Sequence, residues 1–160
     1  MSLPNLIAQY LRGPLQLRLA VYDMTPEQIR ARPVSGKWST LEVVCHLADF
    51  DPILADRMKR IIAMDNPLLA GADENRFAAT LAYEQRDVAE ELDIIDRTRS
   101  QMARILRRLP ADAFKRVGQH NERGPLTLEQ MLQGAINHIA HHLRFINEKR
   151  AALGLPLDKP

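Results

Sequence analysis

Residues 127–153 read TLEQMLQGAINHIAHHLRFINEKRAAL, and this stretch decides the fold because it carries a long, unbroken helical pattern. Thr127 is followed three residues later by Gln130, the spacing of a capping box at a helix start. Gly154 and Pro156 follow the stretch, as glycine and proline commonly follow a helix end. The sequence therefore predicts a helix from Thr127 to about Leu153.

This helix has one apolar face, and that face contains histidines. At 100° per residue, the side chains of one face project within about 60° of a single direction; they are Met131, Ala135, Ile139, His142 and Ile146. His138 falls in the same sector, whereas His141 lies about 100° away, at the edge of the face. We expect His138 and His142 to point into the core.

A second long helix is predicted from Ser39 to about Met64. Ser39 and Glu42 form another capping box. The inward sector of this helix contains apolar residues together with one histidine and one arginine: Val43, His46, Phe50, Ile53 and Arg57. His46 is therefore also predicted to face the core.

Two further long helices complete the pattern. One spans about Asn5 to Tyr22, with a kink or early break expected at Pro14 because proline lacks a backbone donor. A short helix follows from Thr25 and ends before Pro33. The other spans about Gln85 to Leu109, with acidic residues in its first half and Arg97, Arg99, Arg104, Arg107 and Arg108 in its second half. Acids at the start and bases at the end complement the helix dipole, which explains these arginines more simply than a nucleic-acid surface does.

Together these segments predict an all-α, four-helix bundle that forms a single domain over residues 1–160. Residues 65–84 are expected to be a long crossover or lid with one short helix at most, and residues 110–125 a loop. We find no convincing alternating strand pattern.

Composition limits the classes of function. The chain is 46% hydrophobic and 26% charged, with a formal net charge of +2. No stretch approaches the roughly 20 apolar residues of a membrane span, and the N-terminus does not resemble a signal peptide. We see no basic run of the kind that binds nucleic acid. Cys45 is the single cysteine, which excludes an intrachain disulfide and suits a cytoplasmic protein.

Three inward histidines admit two explanations. Either each is a core residue that is hydrogen-bonded to its neighbours, or His46, His138 and His142 together hold one divalent metal ion through their ring nitrogens. The sequence lacks the H-E-x-x-H pattern of zinc proteases because residue 139 is Ile. Asp49, three residues after His46, is either an acceptor for the far ring nitrogen of a metal-binding histidine or a surface charge.

Other candidate residues receive simpler interpretations. His120 lies in a polar stretch and is expected to be a solvated surface residue. Cys45 is about 100° round the helix from His46, so we expect it to be a small packed side chain and not a ligand. Trp38 is expected to pack over the start of the second helix.

The two histidine segments resemble a known family. KWSTLEVVCHLAD, at residues 37–49, is similar to the W-S-x-x-E-x-x-x-H-L-x-D signature of the DinB/YfiT-like superfamily, and NHIAHHLRFI, at 137–146, resembles its H-x-x-H-H-x-x-x-I signature. The resemblance covers nearly the whole chain. It implies a DinB-like four-helix bundle with a three-His metal site, with His46, His138 and His142 as ligands. It also implies zinc or nickel as the metal and a homodimer.

What such a site does is left open by the resemblance and by the residues. Three protein ligands leave a position for water or substrate, the pattern of a catalytic metal, and three imidazoles also suit iron or manganese. The family implies a metal-dependent hydrolase acting on a small molecule, or a transferase or isomerase that uses a low-molecular-weight thiol. A non-catalytic, metal-stabilised dimer is a third hypothesis. No general base is evident, since Asp49 is only a candidate and Glu42 already has a capping role.

Overall fold

The computed structural model describes residues 2–156, and four long helices dominate it. In chain order, the helices are α1 (Leu3–Val21), α2 (Pro26–Arg30), α3 (Thr40–Ala63), α4 (Glu74–Thr80), α5 (Val88–Leu106) and α6 (Leu128–Ala152). Short 3₁₀ turns occupy Tyr83–Gln85 and Ala111–Lys115. No helix within residues 2–156 is both long enough and apolar enough to cross a membrane.

The predicted bundle is confirmed. Helices α1, α3, α5 and α6 pack in a ring, with α3 against α5 and α6, and α1 against the same two helices. The boundaries of the two histidine-bearing helices agree with the predictions. Ser39 caps α3 through its hydroxyl and Thr127 caps α6 in the same way, each within a complete capping box. Helix α5 is shorter than predicted: it begins at Val88, because Asp87 caps it with its carboxylate, and it ends at Leu106.

The core of the bundle falls into two apolar regions. One surrounds Tyr10, Met58 and Leu132, and the other surrounds Leu17, Val44 and Ile146. Each fully buried Leu or Ile contributes about 1.5–3 kcal/mol. Between these regions along the helices lie two buried charged side chains from α3 and α5. The carboxylate of Asp51 accepts hydrogen bonds from Nε and Nη2 of Arg99 at 2.6 and 2.8 Å.

Arg99 corrects two sequence-based predictions. It was expected to complement the helix dipole, yet it is completely buried. It also explains why α1 continues through Pro14 without the expected break. Pro14 has no N–H to give to the carbonyl of Tyr10, and Nη1 of Arg99 donates to that carbonyl instead, at 2.9 Å. Gly13 makes the approach possible, because a Cβ there would lie 2.7 Å from Arg99 Nη1.

The prediction that the chain lacks strands was wrong. Three short strands, β1 (Leu68–Leu69), β2 (Val117–His120) and β3 (Gly124–Thr127), form a sheet in the order β1-β2-β3. β1 pairs with β2 in parallel and β2 with β3 antiparallel. Strands of two to four residues are too short to show an alternating pattern.

This sheet anchors the crossover segment, residues 65–84, to the bundle. Gly118 lies directly over α3, where a Cβ would come within 2.9 Å of side-chain atoms of Ile61 and Leu69. The short helix expected in the crossover is present as α4. The crossover therefore returns across the bundle along a fixed course, which brings α4 over the ends of the histidine side chains.

Candidate metal centre

The three predicted histidines meet at one point inside the bundle. His46 comes from α3, and His138 and His142 come from successive turns of α6. One ring nitrogen from each lies within 4.8 Å of the corresponding nitrogens of the other two. Among residues 2–156, no other group of three histidine, cysteine or acidic side chains lies close enough together to hold a metal ion.

The rings have few partners in the protein. Nε2 of His46 lies 3.0 Å from Nε2 of His138, so one of these nitrogens must carry the proton for a hydrogen bond to form. The Nδ1 atoms of all three histidines are buried without a hydrogen-bond partner. Buried ring nitrogens normally have partners, and two facing Nε2 atoms whose one hydrogen-bond partner is each other fit a cluster that binds a cation.

Aromatic side chains enclose the cluster. The rings of Phe50 and Trp38 have their centroids 4.4 and 5.4 Å from that of His46. Phe50 follows His46 by one turn of α3, and Trp38 precedes the cap of the same helix. Trp38 was expected to pack at this helix start, and it does so on the side that faces the histidines.

Burial keeps the imidazoles neutral at physiological pH. It lowers the pKa of His46 from 6.5 to about 4, with the charge of Asp49 acting in the opposite direction. Burial is also the largest cause that lowers the pKa of His138 and of His142 to about 3, and the neighbouring imidazoles add to it. Neutral imidazole is the form that binds metal ions.

These pKa shifts predict how the stability of the metal-free protein depends on pH. The unfolded chain binds protons on these histidines near pH 6.5, whereas the folded chain does not until about pH 3–4, so the unfolded state binds more protons in between. Stability is then fully present above pH 6.5 and is lost as the pH falls, at up to about 1.4 kcal/mol per pH unit for each imidazole.

Urea denaturation of chelator-treated protein between pH 7.5 and 5.5 measures this slope. We expect His142→Gln to flatten it and His141→Gln, at an exposed position, to leave it unchanged; equal slopes in all three proteins would contradict the assignment.

A carboxylate from the crossover segment also reaches the cluster. Glu74, the first residue of α4, places Oε2 4.0 Å from Nε2 of His46. Its side chain is half exposed, and Asp73 caps the helix behind it. Sequence reasoning missed Glu74 because its distance from the histidines depends on the path of the crossover. The one signal in the sequence that pointed to Glu74 was its acidic side chain within the segment expected to be a crossover or lid.

Two clefts share His138 in their walls. The Trp38 cleft, of about 440 Å³, is lined by Trp38, Glu74, His142 and Lys149 among others. The Arg57 cleft, of about 470 Å³, is lined by Phe50, Arg57, Gly134 and others. A small molecule can therefore reach the histidines from outside, as a site with an open coordination position requires.

Of the two roles considered for Asp49, the hydrogen bond to the far ring nitrogen of His46 is not found. Both oxygens of Asp49 accept hydrogen bonds from Arg86, each at 3.0 Å, and Nδ1 of His46 stays unbonded. Arg86 also binds Glu91, so a guanidinium between two carboxylates outcompetes an imidazole for the oxygens of Asp49.

The remaining candidates are not members of the three-histidine cluster. His120 was predicted to be solvated, yet it is buried on β2, where its Nδ1 accepts from the backbone of Glu122. His141 is exposed, and its ring contacts those of His142 and Phe145. Cys45 is buried as expected, and burial raises the pKa of its thiol to about 12, so it is not reactive. Glu42 has the capping role that the sequence predicted, and Arg32 pairs with it.

Four long helices with three imidazoles converging between two of them define a helical bundle with a candidate metal centre. The chain belongs to the DinB superfamily, which it matches over residues 9–146. The resemblance seen in the two signatures is thereby confirmed.

Relatives of the chain carry the name of a metal-dependent hydrolase. The chain is 28% identical over 142 residues to the "Putative metal-dependent hydrolase YfiT" of Bacillus subtilis, covering 88% of this chain and 80% of that protein. A protein of Oceanobacillus iheyensis with a matching description is 28% identical over 133 residues, covering 83% and 77%. The solved structure of YfiT superposes with a TM-score of 0.91 at 26% identity, over 98% of this chain and 91% of that one. YfiT is described as "a probable metal-dependent hydrolase with an unusual four-helix bundle topology".

Proposed function

We propose that His46, His138 and His142 hold one divalent metal ion, and that the protein is a hydrolase acting on a small molecule at this ion. The observation that carries the proposal is the convergence of three neutral imidazoles, each with one ring nitrogen within 4.8 Å of those of the other two. Three nitrogen donors without a thiolate suit zinc or nickel, and iron and manganese remain compatible. The descriptions of the relatives support a hydrolase.

The donor set leaves room for chemistry. A divalent ion with three imidazole ligands and an open position lowers the pKa of a bound water and polarises a bound carbonyl group. Glu74 is the carboxylate near this position, 4.0 Å from Nε2 of His46, and it is placed to take a proton from water. We assign it as the general base that the sequence did not reveal. Phe50 and Trp38 exclude bulk water from one side of the cluster.

Metal analysis tests the ligands directly. Protein purified without an affinity tag is expected to carry about one equivalent of divalent metal, and His46→Gln, His138→Gln and His142→Gln should each lose most of it. Chelation should also lower the melting temperature, because metal bound only by the folded state stabilises it, by about 4 kcal/mol at a thousand times Kd.

Two matched controls belong to this experiment. His141→Gln changes the exposed neighbour of His142, and His120→Gln changes a buried histidine outside the cluster. Both should keep the metal. The proposal fails if the three cluster variants bind metal as the wild-type protein does, or if ester or amide hydrolysis survives His142→Gln.

A further inference from the structure

A buried arginine beside the histidine cluster lacks the partner that its charge needs. The side chain of Arg57 leaves α3 and is 92% shielded, since only 8% of the residue is exposed. Its Nη2 donates to the carbonyl of Ala70, but its Nε is buried with no hydrogen-bond partner. Within residues 2–156, no carboxylate oxygen lies within 4.0 Å of this guanidinium, and the charges of Glu122 and Asp56 act on it only from a greater distance. A buried guanidinium without a direct ion pair is stabilised by a ligand that supplies one.

The Arg57 cleft contains more positive than negative charge. Arg57 and Arg123 supply two guanidinium groups, against the one carboxylate of Glu122. Glu122 packs against the backbone of Gly71, where a Cβ would lie 2.5 Å from Oε1. His120 adds no charge at neutral pH, because burial and the charge of Arg57 lower its pKa. Guanidinium groups therefore outnumber carboxylates among the lining residues of this cleft by two to one.

Arg57 also borders a second cavity beneath the crossover, and position relative to the histidines distinguishes the two. That cavity has three arginines and two aspartates in its walls, also an excess of one positive charge, but none of the three clustered histidines lines it. The Arg57 cleft, in contrast, is continuous with the metal centre because His138 lines it. Its volume of about 470 Å³ is in the range of small-molecule sites.

We propose that the Arg57 cleft binds a carboxylate group of the substrate, with the guanidinium of Arg57 as its partner. The rest of the substrate then extends past His138 towards the three histidines. This inference rests on the proposed function and narrows its substrate class to carboxylic acids. A carboxylate fits better than a phosphate, because an excess of one positive charge among the lining residues matches a monoanion better than a dianion.

The test measures binding, so that it does not depend on finding the substrate. Benzoate and its neutral analogue benzamide are titrated into ¹⁵N-labelled protein and followed by NMR, before and after removal of metal with a chelator. We expect benzoate to bind at least 10-fold more tightly than benzamide and than phenyl phosphate, and to do so also after chelation. Loss of one charge-assisted hydrogen bond in Arg57→Met should weaken benzoate binding about 10- to 100-fold. The matched control is Arg60→Met, which changes an exposed arginine about one turn further along α3. It should leave benzoate binding unchanged.

A second variant keeps the test decisive if Arg57→Met folds poorly. Gly134 lines the cleft on α6, and a Cβ there would meet no atom within 4 Å. Gly134→Phe should fill the cleft and block benzoate, whereas Gly134→Ala should bind it normally.

Equal binding of benzoate and benzamide, tighter binding of phenyl phosphate, or benzoate binding that persists in Gly134→Phe would overturn the inference. So would loss of binding in Lys149→Met with binding retained in Arg57→Met, because that result places the carboxylate in the Trp38 cleft. The two proposals can fail separately. If the cluster variants keep their metal but benzoate still binds to chelated protein, the proposed metal site is wrong and the carboxylate site remains supported.

Discussion

Replacing Arg99 by methionine is expected to lower the free energy of unfolding by about 3–5 kcal/mol, because it leaves the carboxylate of Asp51 buried without a partner. Both side chains of this ion pair are fully buried. The substitution also removes the hydrogen bonds that Arg99 donates to the carbonyls of Tyr10 and Ala135. Since small domains are stable by about 5–15 kcal/mol in total, a loss of this size is readily measured by urea denaturation.

The control is Arg104→Met, which makes the same substitution on the same helix at an exposed position. It should change stability by less than about 0.5 kcal/mol. Combining Arg99→Met with Asp51→Leu should recover part of the loss, because the double variant no longer buries a lone charge. If Arg99→Met proves no more harmful than Arg104→Met, the ion pair has no such role.

Replacing Glu74 by glutamine is expected to lower kcat for hydrolysis by about 10²- to 10⁴-fold, the usual contribution of a general base. Glutamine keeps the size of the side chain but cannot accept a proton at neutral pH. We expect KM and metal content to change little, because Glu74 is 4.0 Å from Nε2 of His46 and stands outside the three-histidine cluster. Steady-state assays with an activated ester such as p-nitrophenyl acetate, or with a substrate found by screening, measure kcat and KM.

Glu84→Gln is the matched control, since Glu84 is exposed on the same crossover segment and lies outside the metal centre. It should leave kcat unchanged. Two results would argue against Glu74 as the base: a kcat within about twofold of the wild-type value, or loss of the metal from Glu74→Gln, which would make Glu74 a ligand.

Much of the fold was predictable because its signals are local. The capping residues Ser39 and Thr127 fixed the starts of α3 and α6 from short stretches of sequence. The helical period then placed His46, His138 and His142 on inner faces, where the structure has them. In each case, neighbours within one or two turns carry the information.

What was missed depends on contacts between distant parts of the chain. The sheet joins residues near 68 to residues near 119, and its strands are too short to leave a pattern. Glu74 reaches the histidines only through the course of the crossover. Asp49 was expected to be either an acceptor for His46 or a surface charge, and the sequence did not reveal that Arg86, 37 residues later, donates to both of its oxygens. Arg99 resembled a helix-end charge because its partner Asp51 is 48 residues away.

The gap at Pro14 has a consequence for how the chain assembles. The carbonyl of Tyr10 receives its hydrogen bond from a side chain that lies 89 residues further along the chain. A ribosome has therefore released the whole of α1 long before the group that completes this helix has been synthesised. Local sequence can form the rest of the N-terminal helix, but the hydrogen bond at Tyr10 requires α5 to dock against it.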